Sequence, residues 1–436
     1  MKKPEYDVLI IGAGAAGMAA AADLAAAGQH SALVLEARDR IGGRIWTRRE
    51  PDFPAPIEMG AEFIHGKVAS TFELLKKAGA VAVDTPDAHW GLRHGRLEPT
   101  EHELFKEIQQ AMERAKVLKK PDISFAKFLS TAARYGLSTE ARDYARMFVE
   151  GFDAADPERI SAQAIAEEWQ SGGMADSSQF RPSGGYTSLL EALVQRLAGS
   201  DVRLQLQTVV RAVRWRRGSV EVDGMFAGRP FSAKAKRAIV ALPLGVLQSH
   251  SVTFTPALKE KQQALRGLSA GPVVKAMLRF RTPFWETVDR CRYEKASFFH
   301  APGLEFPTFW TALPLRAPLM VAWAGGPQAA SLSRRKPPEI TRRAVACLQT
   351  VFAKHCDVSA QLEAAWCHNW QQDPFARGAY SYVNVGGETA RAELAKPLRD
   401  TLLFAGEAAD VEDEAGTVAG ALQSGQRAAE ELSSRR

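Results

Sequence analysis

The segment DVLIIGAGAAGMAAAADLAAAGQHSALVLEARDRIGGR, residues 7 to 44, leaves this chain few folds to choose from. Asp7 to Ile11 is a short apolar run of strand type, and Gly12 to Gly17 make a tight turn. The alanine-rich stretch to Ala27 is a strong helix former that Gly28 ends. Gly12 permits the turn, Gly14 lets backbone approach a pyrophosphate, and Gly17 lets the helix pack closely on the strand. The helix N-terminus adds N–H donors and partial positive charge. A second strand, Ser31 to Leu35, delivers Glu36 nineteen residues after Gly17, where a carboxylate accepts hydrogen bonds from both ribose hydroxyls. Strand, turn, helix, strand and acid in register specify a dinucleotide-binding α/β unit. Gly42, Gly43 and Arg44 extend it: a second glycine pair brings another loop against the pyrophosphate, and Arg44 neutralises it through a fork of donors.

Residues 402 to 425, LLFAGEAADVEDEAGTVAGALQSG, return to the same style with a strand, a Gly-Glu turn and a small-residue helix start. One cofactor with two ends to hold accounts for both blocks, so the segments between them fold as excursions from one domain. The 436 residues, 46% hydrophobic, suffice for two or three domains. The formal charge of +6 comes from 56 basic and 50 acidic residues spread widely, which argues against nucleic-acid binding. Arg211, Arg214, Arg216 and Arg217 flank a hairpin-like stretch and read as a solvated sheet edge.

The nine histidines lack metal-ligand spacing, and neither a GxSxG elbow nor a nucleophilic cysteine arrangement occurs. Four cysteines without CxxC spacing are expected to be reduced thiols. No signal-peptide-like apolar stretch precedes the first strand. Glycines and Asp23 break the run from Val8 to Ala27, which excludes a membrane span there. A cytoplasmic protein is the expectation.

From Thr71 to about Gln170 the pattern is helical and amphipathic, as in ELFKEIQQAMERAKVL and FAKFLSTAARYG. The Ser-Gly-Gly turn in RPSGGYTSLLEALVQRLA opens a helix, and strand-like VRLQLQTVVRAVRW, VEVDG and RAIVALPLGVLQ follow. From Lys259 to Leu394 strand-like VVKAMLRF and LMVAWAGG alternate with one helix near RRAVACLQTVFAKH.

On five ordered motifs the chain resembles the flavin-containing amine oxidase family over essentially its whole length. They are GAGAAG with Glu36 and GGR, then GAEFIHG (Gly60 to Gly66), VVKAMLRF, NWQQDPFARGAYS (Asn369 to Ser381), and FAGE followed by GTVAGALQSG. The resemblance implies an α/β fold in which residues 1–78, 182–252 and 397–436 form a Rossmann-type FAD-binding domain. Residues 79–181 and 253–396 would form a discontinuous α+β substrate-binding domain. The ADP half of FAD would meet Gly12, Gly14, Ala16, Gly17, Glu36, Ala37, Arg38, Gly43 and Arg44, with Val210 at the adenine. Gly60, Ala61, Glu62 and Trp370 would border the isoalloxazine, and Gly406, Glu407, Thr417 and Val418 the ribityl chain and pyrimidine edge.

The resemblance also implies a reaction. A hydride moves from the carbon next to an amine nitrogen to flavin N5, the imine hydrolyses, and O2 re-oxidises the flavin to give hydrogen peroxide. Lys275 matches the lysine that holds a water against N5. Tyr380 matches one of two tyrosines flanking the amine in monoamine oxidases, and Thr417 stands at the other. Ala379 occupies the position of the cysteine that attaches flavin in those enzymes, which implies noncovalent FAD. Phe63 stands where L-amino-acid oxidases carry an arginine for the substrate carboxylate; Arg377 is the alternative arginine. GAEFIHG is similar to the polyamine oxidase form, with His65 bordering the substrate channel. Glu168 and the acids among residues 410–414 are candidates to grip a cationic chain. The expected partners are a small-molecule amine and O2. An amino-acid oxidase, a desaturase or protoporphyrinogen-type oxidase, and a non-catalytic FAD-binding scaffold remain as alternatives.

Overall fold

The computed structural model describes residues 5–100, 103–119, 121–170 and 178–434. β1 (Tyr6–Ile11), α1 (Ala15–Ala27) and β2 (Ala32–Leu35) follow the order that the first block implies. Gly28, at φ 63°, donates to the carbonyls of Leu24 and Ala25 and ends α1. Most of α1 is buried, including Ala15 to Ala22 and Leu24, because sheet, the helix Val418–Ser434 and the helix Thr187–Gln195 surround it. Alanine is the residue that permits this: a Cβ on Gly425 would already come within 2.1 Å of the Ala16 carbonyl oxygen.

The parallel core is drawn from distant parts of the chain. β1 pairs with β2 and with Arg229–Val240, β2 pairs with Val202–Gln205, and Leu402–Phe404 pairs with Arg229–Val240, all in parallel. The strands Thr208–Arg216 and Ser219–Phe226 extend this sheet antiparallel. On them Arg214 forms ion pairs with Glu221 and Asp223, as a solvated sheet face would. A second, seven-stranded sheet runs Leu362–Asn369, Val273–Phe280, Leu319–Gly325, Thr308–Thr311, Phe298–His300, His89–Arg93, Arg96–Pro99. Both sheets carry helices, so the architecture is α/β.

The stretch from Thr71 to Gln170 departs from a purely helical reading. Helices Glu103–Ala115, Phe125–Thr131, Thr139–Gly151 and Ala162–Glu168 are present, the last three capped by Ser124, Ser138 and Ser161. Three short strands, Ala82–Asp84, His89–Arg93 and Arg96–Pro99, precede them. Their burial is too mixed to show strict alternation, and they hold as strands because His89–Arg93 pairs with Phe298–His300, some two hundred residues later. Among the described residues no helix is long and apolar enough to cross a membrane, and the four cysteines are free.

Candidate active site

One continuous cavity of about 1540 Å3 is lined by residues from Ile11 to Ala421. Drug-sized pockets run to roughly 1,000 Å3, so this one has room for a dinucleotide together with a second molecule. Every residue assigned to cofactor or substrate from the sequence lines it except Gly17 and Glu412. Gly17 lies beneath the turn, where a Cβ would come within 1.9 Å of the Gly12 carbonyl oxygen, so its place is in helix-on-strand packing.

At the nucleotide end the donor set suits a dinucleotide. No side chain caps the first turn of α1, which leaves its N–H groups for an anion. A Cβ on Gly14 would meet nothing nearer than the Gly42 carbonyl oxygen at 4.0 Å, so the turn is open to the cavity. Glu36 is 5% exposed; Oε2 accepts from Ala13 N at 2.8 Å and Oε1 from Arg38 N at 2.9 Å. A carboxylate has about four lone-pair sites, so both oxygens keep capacity for ribose hydroxyls. Ala16, Ala37, Gly43 and Val210 complete this wall. Arg38 is tied to Asp373 at 2.8 Å, and Asp373 also meets His368 Nε2 at 3.0 Å.

In the middle of the cavity, charged groups are locked to protein partners. Arg44 donates to Glu407 Oε1 at 2.9 Å and to the Ala379 carbonyl. Glu407 Oε2 also accepts from Ser381 Oγ at 2.6 Å. Burial works against its ionisation, but Arg44 and Arg391 outweigh it and hold the carboxyl below its usual range. Thr417 caps the helix that begins at Val418, accepting from Gly420 N at 3.1 Å, and Gly406 stands at the turn before Glu407.

Lys275 lies on Val273–Phe280, a strand buried at nearly every position, and is 1% exposed. Its Nζ donates to Glu62 Oε2 at 2.6 Å and to the Gly60 carbonyl at 3.0 Å, beside Ala61. Glu62 Oε1 accepts from Trp310 Nε1 at 3.0 Å and lies 3.2 Å from the Arg181 guanidinium.

Trp370, 3% exposed, donates from Nε1 to the Met59 carbonyl at 3.2 Å, and Tyr380 donates to the Phe152 carbonyl. Phe63 packs at 5.7 Å from Phe298 and 5.6 Å from Trp310. His65 packs edge-on to Phe152, and burial lowers its pKa to about 4, so it is neutral near pH 7. Asp153 and Glu168 stand close to Tyr380; burial raises both carboxyls, and the neighbouring Glu168 raises Asp153 further. Asp410, Asp413, Glu414 and Arg377 also reach the cavity wall. Cys367 pairs across the sheet with Ala276 and is not among the lining residues.

Trp310, Arg181, Trp323 and Asp153 had no signal in the sequence. Lys275 is in register with Trp323, and Trp323 with Thr308, two residues before Trp310; strand pairing alone assembles this wall.

Comparison with known proteins agrees with this geometry. Residues 15–433 match the flavin containing amine oxidoreductase family. Polyamine oxidase 3 of Oryza sativa subsp. japonica is 28% identical over 458 residues, covering 97% of this chain and 88% of that protein. Lysine-specific histone demethylase 2 of Homo sapiens is 27% identical, covering 98% of this chain and 53% of that protein. Wild-type putrescine oxidase bound to putrescine superposes with a TM-score of 0.81 at 22% identity, covering 99% of each chain. Cyclohexylamine oxidase from Brevibacterium oxydans IH-35A gives 0.80 at 22% identity, again over 99% of each chain, and both likenesses concern the fold. With a match running through nearly the whole chain, and a cavity that joins a dinucleotide end to a buried lysine, the protein belongs to the flavin-containing amine oxidoreductase family.

Proposed function

We propose that the chain is an amine oxidase that binds FAD noncovalently and acts on a cationic, polyamine-like amine with O2 as electron acceptor. The carrying observation is the single cavity that places the nucleotide-binding turn and the buried Lys275–Glu62 pair on one continuous wall. FAD, when bound, supplies a two-electron acceptor for the hydride leaving the carbon next to nitrogen, and O2 takes those electrons to give hydrogen peroxide.

The residues divide the remaining work. The α1 N-terminus, Gly12, Gly14, Ala16 and Gly43 would hold the pyrophosphate, and Glu36 with Ala37 and Arg38 the ribose. Val210 would meet the adenine, and Arg44, Gly406, Glu407, Thr417 and Val418 the ribityl chain and pyrimidine edge. Lys275 would offer a donor to the reacting edge of the cofactor. Trp370, Tyr380, Phe63 and His65 would exclude water and orient the amine, whose partial positive charge is attracted by aromatic faces. Ala379 has no nucleophile, which supports noncovalent binding. The division into an FAD-binding part (1–78, 182–252, 397–436) and a substrate-binding part (79–181, 253–396) is supported by the two sheets.

A cationic substrate is favoured by the acids around Tyr380. Asp153 and Glu168 stand beside it, and Asp410, Asp413 and Glu414 line the same cavity. The neighbouring cation, Arg391, is committed to Ser381 Oγ at 2.7 Å and Ser381 O at 3.0 Å, which leaves it poorly placed for a substrate carboxylate. The test is an anaerobic screen of monoamines, polyamines and amino acids, read by loss of flavin colour. Polyamines should bleach the flavin fastest. Bleaching by amino acids alone would replace this reading with amino-acid oxidation, and none at all would make the protein a scaffold.

A further inference from the structure

A lysine ammonium has three N–H donors and no acceptor. In Lys275 two of the three are already spent, one on Glu62 Oε2 and one on the Gly60 carbonyl, which leaves a single N–H for the cavity. Glu62 is equally committed. Its Oε2 serves Lys275, and its Oε1 serves Trp310 Nε1 and the Arg181 guanidinium. Three segments outside its own loop, Gln179–Pro182, Val273–Phe280 and Thr308–Thr311, therefore converge on one carboxylate. That convergence leaves the Glu62 side chain little freedom to rotate away.

Burial opposes ionisation of Glu62, but Lys275 and Arg181 outweigh it and hold the carboxyl below its usual range. The other carboxyl that feels Lys275 is Glu58, which burial raises to about 7, so the countercharge below that pH rests on Glu62. Lys275 Nζ also sits 5.5 Å from the Trp310 ring centroid, within the range of a cation–π contact.

We infer that Glu62 is a positioning residue for Lys275. It fixes the Lys275 side chain with one N–H left toward the cavity, so that Lys275 acts as a stationary hydrogen-bond donor.

The kinetic arm of the test rests on the amine-oxidase reading only through the presence of a reducible flavin. It uses Glu62→Gln, Lys275→Met and the double variant. Each holoprotein is reduced with dithionite, mixed with O2, and followed by flavin absorbance, so no substrate need be known. Flavin-stripped protein of each variant is unfolded in urea in parallel.

Glu62→Gln should slow re-oxidation about tenfold in the parent and less than about twofold in the Lys275→Met background, the signature of a residue acting through another. In urea the double variant should lose less stability than the two single losses added, because each single change strands a buried charge. Equal slowing in both backgrounds would mean that Glu62 acts on its own, and the inference fails. Coupling in urea with unchanged re-oxidation would reduce the pair to a structural contact, which also overturns it.

Should Glu62→Gln not fold, Trp310→Phe removes one donor to Glu62 and keeps the aromatic bulk. It should slow re-oxidation about threefold, again only with Lys275 present. No change there overturns the inference as well. Absence of any amine that bleaches the flavin would refute the proposed function while leaving both arms of this cycle readable.

Discussion

Glu58 shows how far burial moves a single charge. It is 7% exposed, accepts from Tyr186 N at 2.7 Å and from Thr47 Oγ1, and has its pKa raised from 4.5 to about 7 by loss of water. The folded state then binds the proton more tightly than the unfolded chain between those values, so stability falls as pH rises from 4.5 to about 7. His65 has the opposite sign. Its folded pKa of about 4 lies below 6.5, so stability is lost as pH falls through that interval. The two slopes oppose each other, and single variants separate them. Urea unfolding across pH should show Glu58→Gln gaining on the parent by about 1–3 kcal/mol toward pH 7, and His65→Gln flattening the acid limb. At the proposed FAD site, Arg44→Ala should remove a charge-assisted contact worth about 1.5–3 kcal/mol, and Glu36→Gln should weaken the proposed ribose contact. Both should purify with less flavin, read from the ratio of flavin to protein absorbance. Glu36 and Lys275 were legible because each sits at a fixed distance from a turn or within a strand motif. Arg181 and Trp310 were not, since nothing local distinguishes a buried partner from any other arginine or tryptophan.

At the scale of elements the nucleotide-binding turn separates two roles that look alike in sequence. Gly17→Ala places a methyl 1.9 Å from the Gly12 carbonyl oxygen, so backbone must shift; a loss of about 1–3 kcal/mol or more in urea is expected. Gly14→Ala meets no atom closer than 4.0 Å and should fold normally, but its methyl occupies the face that a pyrophosphate would approach, so it should retain little flavin. Equal flavin content in the two variants would contradict the distinction. β1, α1 and β2 could be read from sequence because an apolar run, a glycine turn and an alanine helix follow one another without interruption. The hairpin His89–Pro99 could not, because its strands are short and half exposed and its stability comes from a distant partner strand. The helices around it were legible by period, and their starts lie at serines that accept from the backbone three residues on.

For the whole molecule, the proposed noncovalent binding would make the flavin separable. Acid precipitation should leave FAD intact in the supernatant; flavin carried down on the polypeptide would show a covalent link that Ala379 does not provide. Added FAD at a hundred times its Kd should stabilise the stripped protein by about 2.7 kcal/mol, visible as a rise in Tm. The assembly of one parallel sheet from distant segments was legible because two similar glycine-rich blocks stand far apart in the chain. What the sequence withheld was the inner surface, where Asp153, Glu168 and Glu407 meet around Tyr380 only after folding.

The parallel pairing of Leu402–Phe404 with Ala238 to Val240 carries a consequence for the timing of synthesis. A ribosome delivers β1 and its glycine turn well before the turn at Gly406 and the helix Val418–Ser434, which supply further residues of the cavity wall. Until then α1 lacks Val418–Ser434, one of the elements packed around it, and the cavity lacks part of its wall. The growing chain therefore spends that interval with part of its cavity wall unmade, exposed to chaperones and proteases alike.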